Sequence, residues 1–296
     1  MKVFVTGASG YNGSAILKEL INAGHQVTGL ARSEESARII RDLGADVFHG
    51  NLEDLEILQQ GAQNADGIIH CAFNHDFMKG GAGTFLDSAA TDRNAIFAMG
   101  EVLKGTDKAI VITSGMLGLP KINGFITEES VAEHSPRPSE EAALDLASKG
   151  VKASVIRLAP SVHDKGDAGF IPFIISQARK NGVSAYPDEG KNCWVGVHRL
   201  DAAKAFRLAV EKGHKGALYN IVDGEGVEMK KIAELIGKEL NLPVASLSGE
   251  DLNRHFEWMS YFITLDCPAT NFKSQEMLGW KPSHIGLLED MKLNYF

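Results

Sequence analysis

Cysteine is scarce: the 296 residues hold three, Cys71, Cys193 and Cys267. An odd, widely spaced set gives neither a disulfide framework nor a metal-ligand spacing, and fits a reducing, cytoplasmic setting. No run of ~18 apolar residues occurs, so no membrane span is expected. The N-terminus passes almost at once into the apolar stretch Val-Phe-Val at positions 3–5, without the basic region, apolar core and cleavage site of a signal peptide. A basic stripe is missing too. Thirty Lys and Arg stand against 38 Asp and Glu, a net charge of −8, which argues against a nucleic-acid partner. The ten histidines show no His-x-x-x-His beside an acid, so no metal is expected.

What is present is a globular composition, 44% hydrophobic and 23% charged, long enough for one large α/β domain or a nucleotide domain with an annex. Apolar runs that read as strands (3–6, 25–31, 46–49, 67–72, 108–113, 152–158) alternate with helical patterns (14–23, 34–43, 54–62, 89–103, 140–148). That rhythm predicts a doubly wound parallel sheet of the Rossmann type. After it breaks, 171–180, 200–212, 229–240 and 249–255 read as helices and 217–222 as a strand. The expected division is a Rossmann domain over 1–165 and 196–222, with a small, mainly helical substrate-binding domain over 166–195 and 223–296.

Thr6-Gly7-Ala8-Ser9-Gly10-Tyr11-Asn12-Gly13 follows a strand and opens a helix, the setting that gives a glycine triplet its meaning. Glycines there permit the tight turn, the close approach of a pyrophosphate and the packing of helix on strand, while free N–H groups and the helix dipole hold the phosphates. The second strand ends Leu30-Ala31-Arg32-Ser33 with no acid for a ribose 2′-hydroxyl. Arg32 is placed for a 2′-phosphate, so NADP(H) is favoured over NAD(H). Asn51 and Leu52 are placed to flank the adenine. Cys71, Ala72, Phe73 and Thr113 are expected to line the groove at the carboxyl ends of their strands.

These residues carry a resemblance. The Thr-Gly-x-x-Gly-x-x-Gly spacing, Asn51-Leu52, Thr113-Ser114-Gly115, the run Arg157 to His163, Val197 to Asp201 and Leu278-Gly279-Trp280-Lys281-Pro282 resemble the extended short-chain dehydrogenase/reductases. The likeness is strongest to an atypical branch of NAD-dependent epimerase/dehydratase-like enzymes. It implies that Ser114 occupies the catalytic serine position and that Pro160, Ser161 and Val162 lie near the nicotinamide. It also implies that Asp201 caps a helix beside the substrate domain, and it allows a homodimer. The family's Tyr-x-x-x-Lys, whose tyrosine exchanges the substrate proton and whose lysine lowers its pKa, should fall near Ala132 and Pro136. Neither residue is there, and no Tyr lies between Tyr11 and Tyr186. Asn12 departs as well, standing where the turn usually has an apolar residue.

Ser114 is the candidate for polarising a substrate oxygen. The proton source stays open between His163, Tyr186 and water. Phe73, Phe77, Phe170, Trp194, Trp258, Tyr261 and Phe262 are expected to face an apolar cleft. A small aldehyde, ketone or quinone suits it better than a nucleotide-sugar, whose pyrophosphate needs basic residues. The expected activity is carbonyl reduction by an NADP(H)-dependent oxidoreductase. A catalytically silent NADP(H) sensor and an epimerase or isomerase are the alternatives.

Overall fold

The computed structural model describes residues 1–79, 83–132 and 135–296. The chain opens with β1 (Lys2–Thr6), α1 (Tyr11–Asn22), β2 (Gln26–Ala31), α2 (Glu34–Asp42), β3 (Asp46–His49) and α3 (Leu55–Gln63). It continues with β4 (Gly67–His70), α4 (Phe85–Glu101), β5 (Ala109–Gly115), α5 (Ser139–Ser148) and β6 (Lys152–Leu158). Strands β1 to β6 and a later strand, Leu218–Ile221, form one seven-stranded parallel sheet. The order across it is Leu218–Ile221, β6, β5, β4, β1, β2, β3. The order reverses beside β1, which lies between β4 and β2. The crevice at that switch is where such sheets bind ligands.

The strands are unbroken apolar runs because both faces are covered. Phe4, Ile68, Ile110 and Val155 point into one hydrophobic cluster, while Val3, Ile69, Val111 and Ile156 point into the other. Alternation along each strand thus serves two cores. On the first face lie α3, α4 and α5; α1 and α2 cover the second. Helix α4 begins four residues ahead of the apolar pattern. There Thr84 and Asp87 form a reciprocal capping box, the Thr84 hydroxyl accepting from the Asp87 N–H and the Asp87 carboxylate from the Thr84 N–H.

Beyond β6 come β7 (Ser161–His163), α6 (Phe170–Asn181), β8 (Ser184–Pro187), β9 (Cys193–Trp194), β10 (Gly196–His198), α7 (Arg199–Lys212) and β11 (Leu218–Ile221). The rest is β12 (Val227–Glu228), α8 (Met229–Leu240), β13 (Val244–Leu247), α9 (Gly249–Phe256), α10 (Ser260–Ile263), α11 (Phe272–Leu278) and α12 (Leu287–Asn294). Helix α7 joins α1 on the second face of the sheet. Three strand pairs, β7 with β10, β8 with β13 and β9 with β12, lie outside the main sheet. They escape the sequence reading because two to four residues are too few to show a period. The second core is continuous from Val3 through Ile171, Phe256 and Trp280 to Met291, so the late segments share it with α1 and α7. Among the described residues no helix is long and apolar enough to cross a membrane.

Candidate cofactor and substrate site

The glycine turn is closed so tightly that Gly7 and Gly13 have no room for a side chain. Gly7 has φ +69°, and a Cβ on it would stand 2.7 Å from the Ala72 nitrogen. A Cβ on Gly13 would stand 2.0 Å from the Gly7 carbonyl oxygen. Gly10 caps α1 without a side chain, and the first helical bond runs from the Ser14 N–H to the Gly10 carbonyl. The N–H groups of Tyr11, Asn12 and Gly13 therefore precede that bond and remain donors for an anion. Ser9 is half-buried beside them. The Tyr11 hydroxyl donates to the Asp164 carbonyl at 3.1 Å, and the Arg199 guanidinium lies 4.2 Å over its ring. Asn12 Oδ1 is buried without a donor among the described residues. Open amides and an orphan acceptor, on a turn where a Cβ at Gly7 or Gly13 would collide with backbone, fit a nicotinamide dinucleotide.

The other strand ends show which predicted groups are engaged. Arg32 binds Asp76 through two hydrogen bonds. Asn51 turns its side-chain oxygen to the N–H groups of Glu53 and Asp54, shaping the approach to α3, and Leu52 packs on the first core. The Thr113 hydroxyl donates to the His70 carbonyl at 2.8 Å and lies 3.3 Å from Cys71 Sγ. Burial pushes the Cys71 thiol up to about 12, with the Thr113 hydrogen bond and the Arg137 charge opposing. Phe73 follows β4, its ring against His75 and Phe85.

Ser114 ends up inside β5, paired in register with Arg157. It is nearly buried, yet its hydroxyl is neither bonded to another described residue nor sealed from solvent. Behind it runs a network that sequence reading missed. Thr6 Oγ1 lies 2.7 Å from His70 Nδ1, and His70 Nε2 lies 3.2 Å from Asp92. Asp92 also accepts from Ser139 Oγ and from Arg137 Nη2. Arg137 in turn donates from Nε to Ser139 and from Nη2 to the Thr113 carbonyl, with its guanidinium 4.1 Å over the Phe73 ring. Burial alone would raise the Asp92 carboxyl, but His70, Arg137 and Ser139 together hold it below its ordinary value. Asp92 left one signal in the sequence: it is an acid spaced three and four residues from Ala95 and Ile96, on the apolar face of the helix. Arg137 left none, since it lies in the connection between β5 and α5.

The two candidate proton donors stand in different surroundings. His163 is fully buried, its Nδ1 2.9 Å from Asp290 and its Nε2 3.4 Å from Asp223, so its ring is held by carboxylates and closed to solvent. Tyr186 lies in β8, paired with β13, with Lys230 over its ring and Gly190 against its edge. Pro160, just before β7, and Val162, within it, are half-buried, and the Ser161 hydroxyl is buried with no partner among the described residues. Asp201 does not cap α7. His198 does, accepting from the Leu200 N–H, because Asp201 instead receives the N–H groups of Ser283 and His284 and ties that loop down. Asp164, His198 and Asp290 bring donor atoms within 4.8 Å of one another, but His163 and Asn294 already occupy the Asp290 carboxylate.

The aromatic expectation divides. Trp194 is core, fully buried with its indole N–H on the Leu265 carbonyl. Phe170, Phe262, Trp258 and Tyr261 form a chain of ring contacts from it outward, ending at Tyr261, which is 67% exposed. Phe77 joins Phe73 and Phe85 in a separate group at the end of β4.

The profile of the NAD dependent epimerase/dehydratase family matches residues 3–222. The chain belongs to that family. Its members bind a nicotinamide cofactor. Uncharacterised proteins of Schizosaccharomyces pombe and Saccharomyces cerevisiae are each 44% identical to it, over 98% and 100% of this chain and 98% and 99% of their own lengths. A 4-hydroxy-2-methyl-3-oxo-4-farnesyl-3,4-dihydroquinoline-1-oxide ketoreductase of Stigmatella aurantiaca is 27% identical, over 80% of this chain and 72% of its own. Among solved structures, a nucleoside-diphosphate-sugar epimerase of Pseudomonas aeruginosa superposes with a TM-score of 0.77 at 16% identity. That match covers 100% of this chain and 96% of the other, and it shows the shared fold.

Proposed function

We propose that this family member is an NADP(H)-dependent oxidoreductase that reduces the carbonyl of a small, largely apolar substrate. The observation that carries the reading is the Ser114 hydroxyl, which bonds no other described residue and is not sealed from solvent at the carboxyl end of β5. It is a ready donor where a substrate oxygen gains charge. Gly7, Gly10, Gly13 and the first amides of α1 hold the pyrophosphate, and Arg32 holds the 2′-phosphate. The Arg32–Asp76 pair does not prevent this. Its side chains are 61% and 43% exposed, and so open a pair contributes no more than about 1 kcal/mol, which a doubly charged phosphate outbids. When bound, the reduced nicotinamide supplies a hydride to the carbonyl carbon, and the electron pair of the broken π bond stays on oxygen. The segments 166–195 and 223–296 form the substrate side, with Phe170, Trp258 and Phe262 as its apolar surface. The ketoreductase relative supports this reading.

An epimerase is the second reading, favoured by the match to the NAD dependent epimerase/dehydratase family. One experiment separates the two: oxidation of NADPH and NADH, followed by absorbance against aldehydes, ketones and quinones, with wild type and Ser114→Ala in parallel. The reductase reading expects turnover that prefers NADPH and falls about 100-fold in the variant while NADPH still binds. Binding of the cofactor without turnover of any carbonyl overturns it, and directs the search to epimerisation or to cofactor sensing.

A further inference from the structure

We propose that Arg137 is a catalytic residue, which together with Ser114 binds the substrate oxygen on which negative charge builds. The inference rests on the reductase reading and adds to it the electrophile that the missing tyrosine leaves wanting. Arg137 Nη2 is 3.3 Å from the carbonyl of Thr113, the residue before Ser114, and the guanidinium lies 4.1 Å from the centre of the Phe73 ring. One cation thus sits where the carboxyl ends of β4 and β5 meet.

It is anchored from behind and open in front. Nε is taken by Ser139, and Nη2 by Asp92 and Thr113. Nη1 makes no hydrogen bond among the described residues and is not sealed from solvent. The side chain is only 23% exposed, so a hydrogen bond from Nη1 to a charged oxygen would form in poorly screened surroundings. The field already reaches the groove, since the Arg137 charge works against the burial that raises the Cys71 thiol. Asp92, His70 and Thr6 hold the anchor in place and connect it to the strand under the glycine turn.

The chemistry balances without a tyrosine. The carbonyl carbon gains the hydride, the oxygen keeps the π pair, and Ser114 and Arg137 hold the resulting alkoxide. A guanidinium stays protonated near neutral pH. Water therefore donates the proton that completes the alcohol, and leaves as hydroxide.

The test uses benzoate, an inert carboxylate standing in for the charged oxygen, titrated calorimetrically into the protein loaded with NADP+. Wild type is compared with R137Q, R137K and the double variant D92N/R137Q. The double variant removes the buried carboxylate that R137Q strands, and thermal melting confirms that each is folded. Benzoate should bind wild type, weaken about tenfold or more in both variants that lack the cation, and recover in part in R137K. NADP+ affinity should stay within about twofold throughout, a split that a general structural role would not produce. Equal benzoate binding in wild type and the double variant, or no binding by wild type, overturns the proposal. Carbonyl turnover that survives unchanged in the double variant overturns it while leaving the reductase reading intact. Benzoate binding that depends on Arg137, without turnover of any carbonyl, does the reverse: the anion site stands and the reductase reading falls.

Discussion

Arg32, the residue after β2, holds Asp76 through two hydrogen bonds, Nη1 to Oδ2 at 2.9 Å and Nη2 to Oδ1 at 3.4 Å. The guanidinium proposed to meet a 2′-phosphate is thus already aligned by a carboxylate that a phosphate must displace or share. Asp76→Asn should raise the preference for NADPH over NADH by several-fold, and Arg32→Ala should lower it about tenfold. Dissociation constants for both reduced cofactors, read by fluorescence, check this. An unchanged ratio in Arg32→Ala would remove Arg32 from the cofactor site.

Gly13→Ala places a methyl group 2.0 Å from the Gly7 carbonyl oxygen, a backbone atom that cannot rotate away. The turn and α1 must separate, at about 1–3 kcal/mol in stability. Cofactor binding should drop beyond detection while the far-ultraviolet dichroism stays native. Gly24→Ala is the control, because beyond its chain neighbours no atom of the described residues lies within 4 Å of its added carbon and only its φ of +84° is strained.

His163 should make stability depend on pH. Burial would lower its pKa, but Asp223 and Asp290 outweigh that and raise it above the ordinary value. The folded state therefore binds the proton more tightly than the unfolded chain. Its stabilising contribution is complete below the unfolded value of about 6.5 and is lost as pH climbs through the raised folded value. Melting temperature should fall across that window in wild type, and His163→Gln should flatten the fall. Parallel profiles would show that His163 does not carry the proton.

Arg157 should matter to folding rather than to chemistry. It is fully buried, donates to both Glu140 oxygens and also takes the carbonyls of Thr127 and Ser130. Arg157→Met leaves Glu140 and the Ser130 carbonyl without the guanidinium, while the Thr127 carbonyl keeps the Ser130 N–H, at a cost of about 3–5 kcal/mol. Urea unfolding measures it, and Arg157→Met with Glu140→Leu should recover part of the loss.

The parallel sheet and its cofactor turn were legible in the sequence because their causes are local. A strand buried on both faces is an apolar run, a helix shows its period within a few turns, and Gly7, Gly10 and Gly13 are required by contacts within eight residues of chain and one neighbouring strand. Ser114 was singled out through the family resemblance, and its role stays the reading proposed above. What only the tertiary structure decided is which polar groups meet. His163 reads as one candidate proton source until Asp223 and Asp290, contributed from far along the chain, close over it. Arg137 reads as a loop residue until β4, α4 and β5 bring Phe73, Asp92 and Thr113 around its guanidinium. Local propensity depends on neighbours in sequence. Hydrogen bonding and charge depend on neighbours in space, and those exist only once the chain has folded.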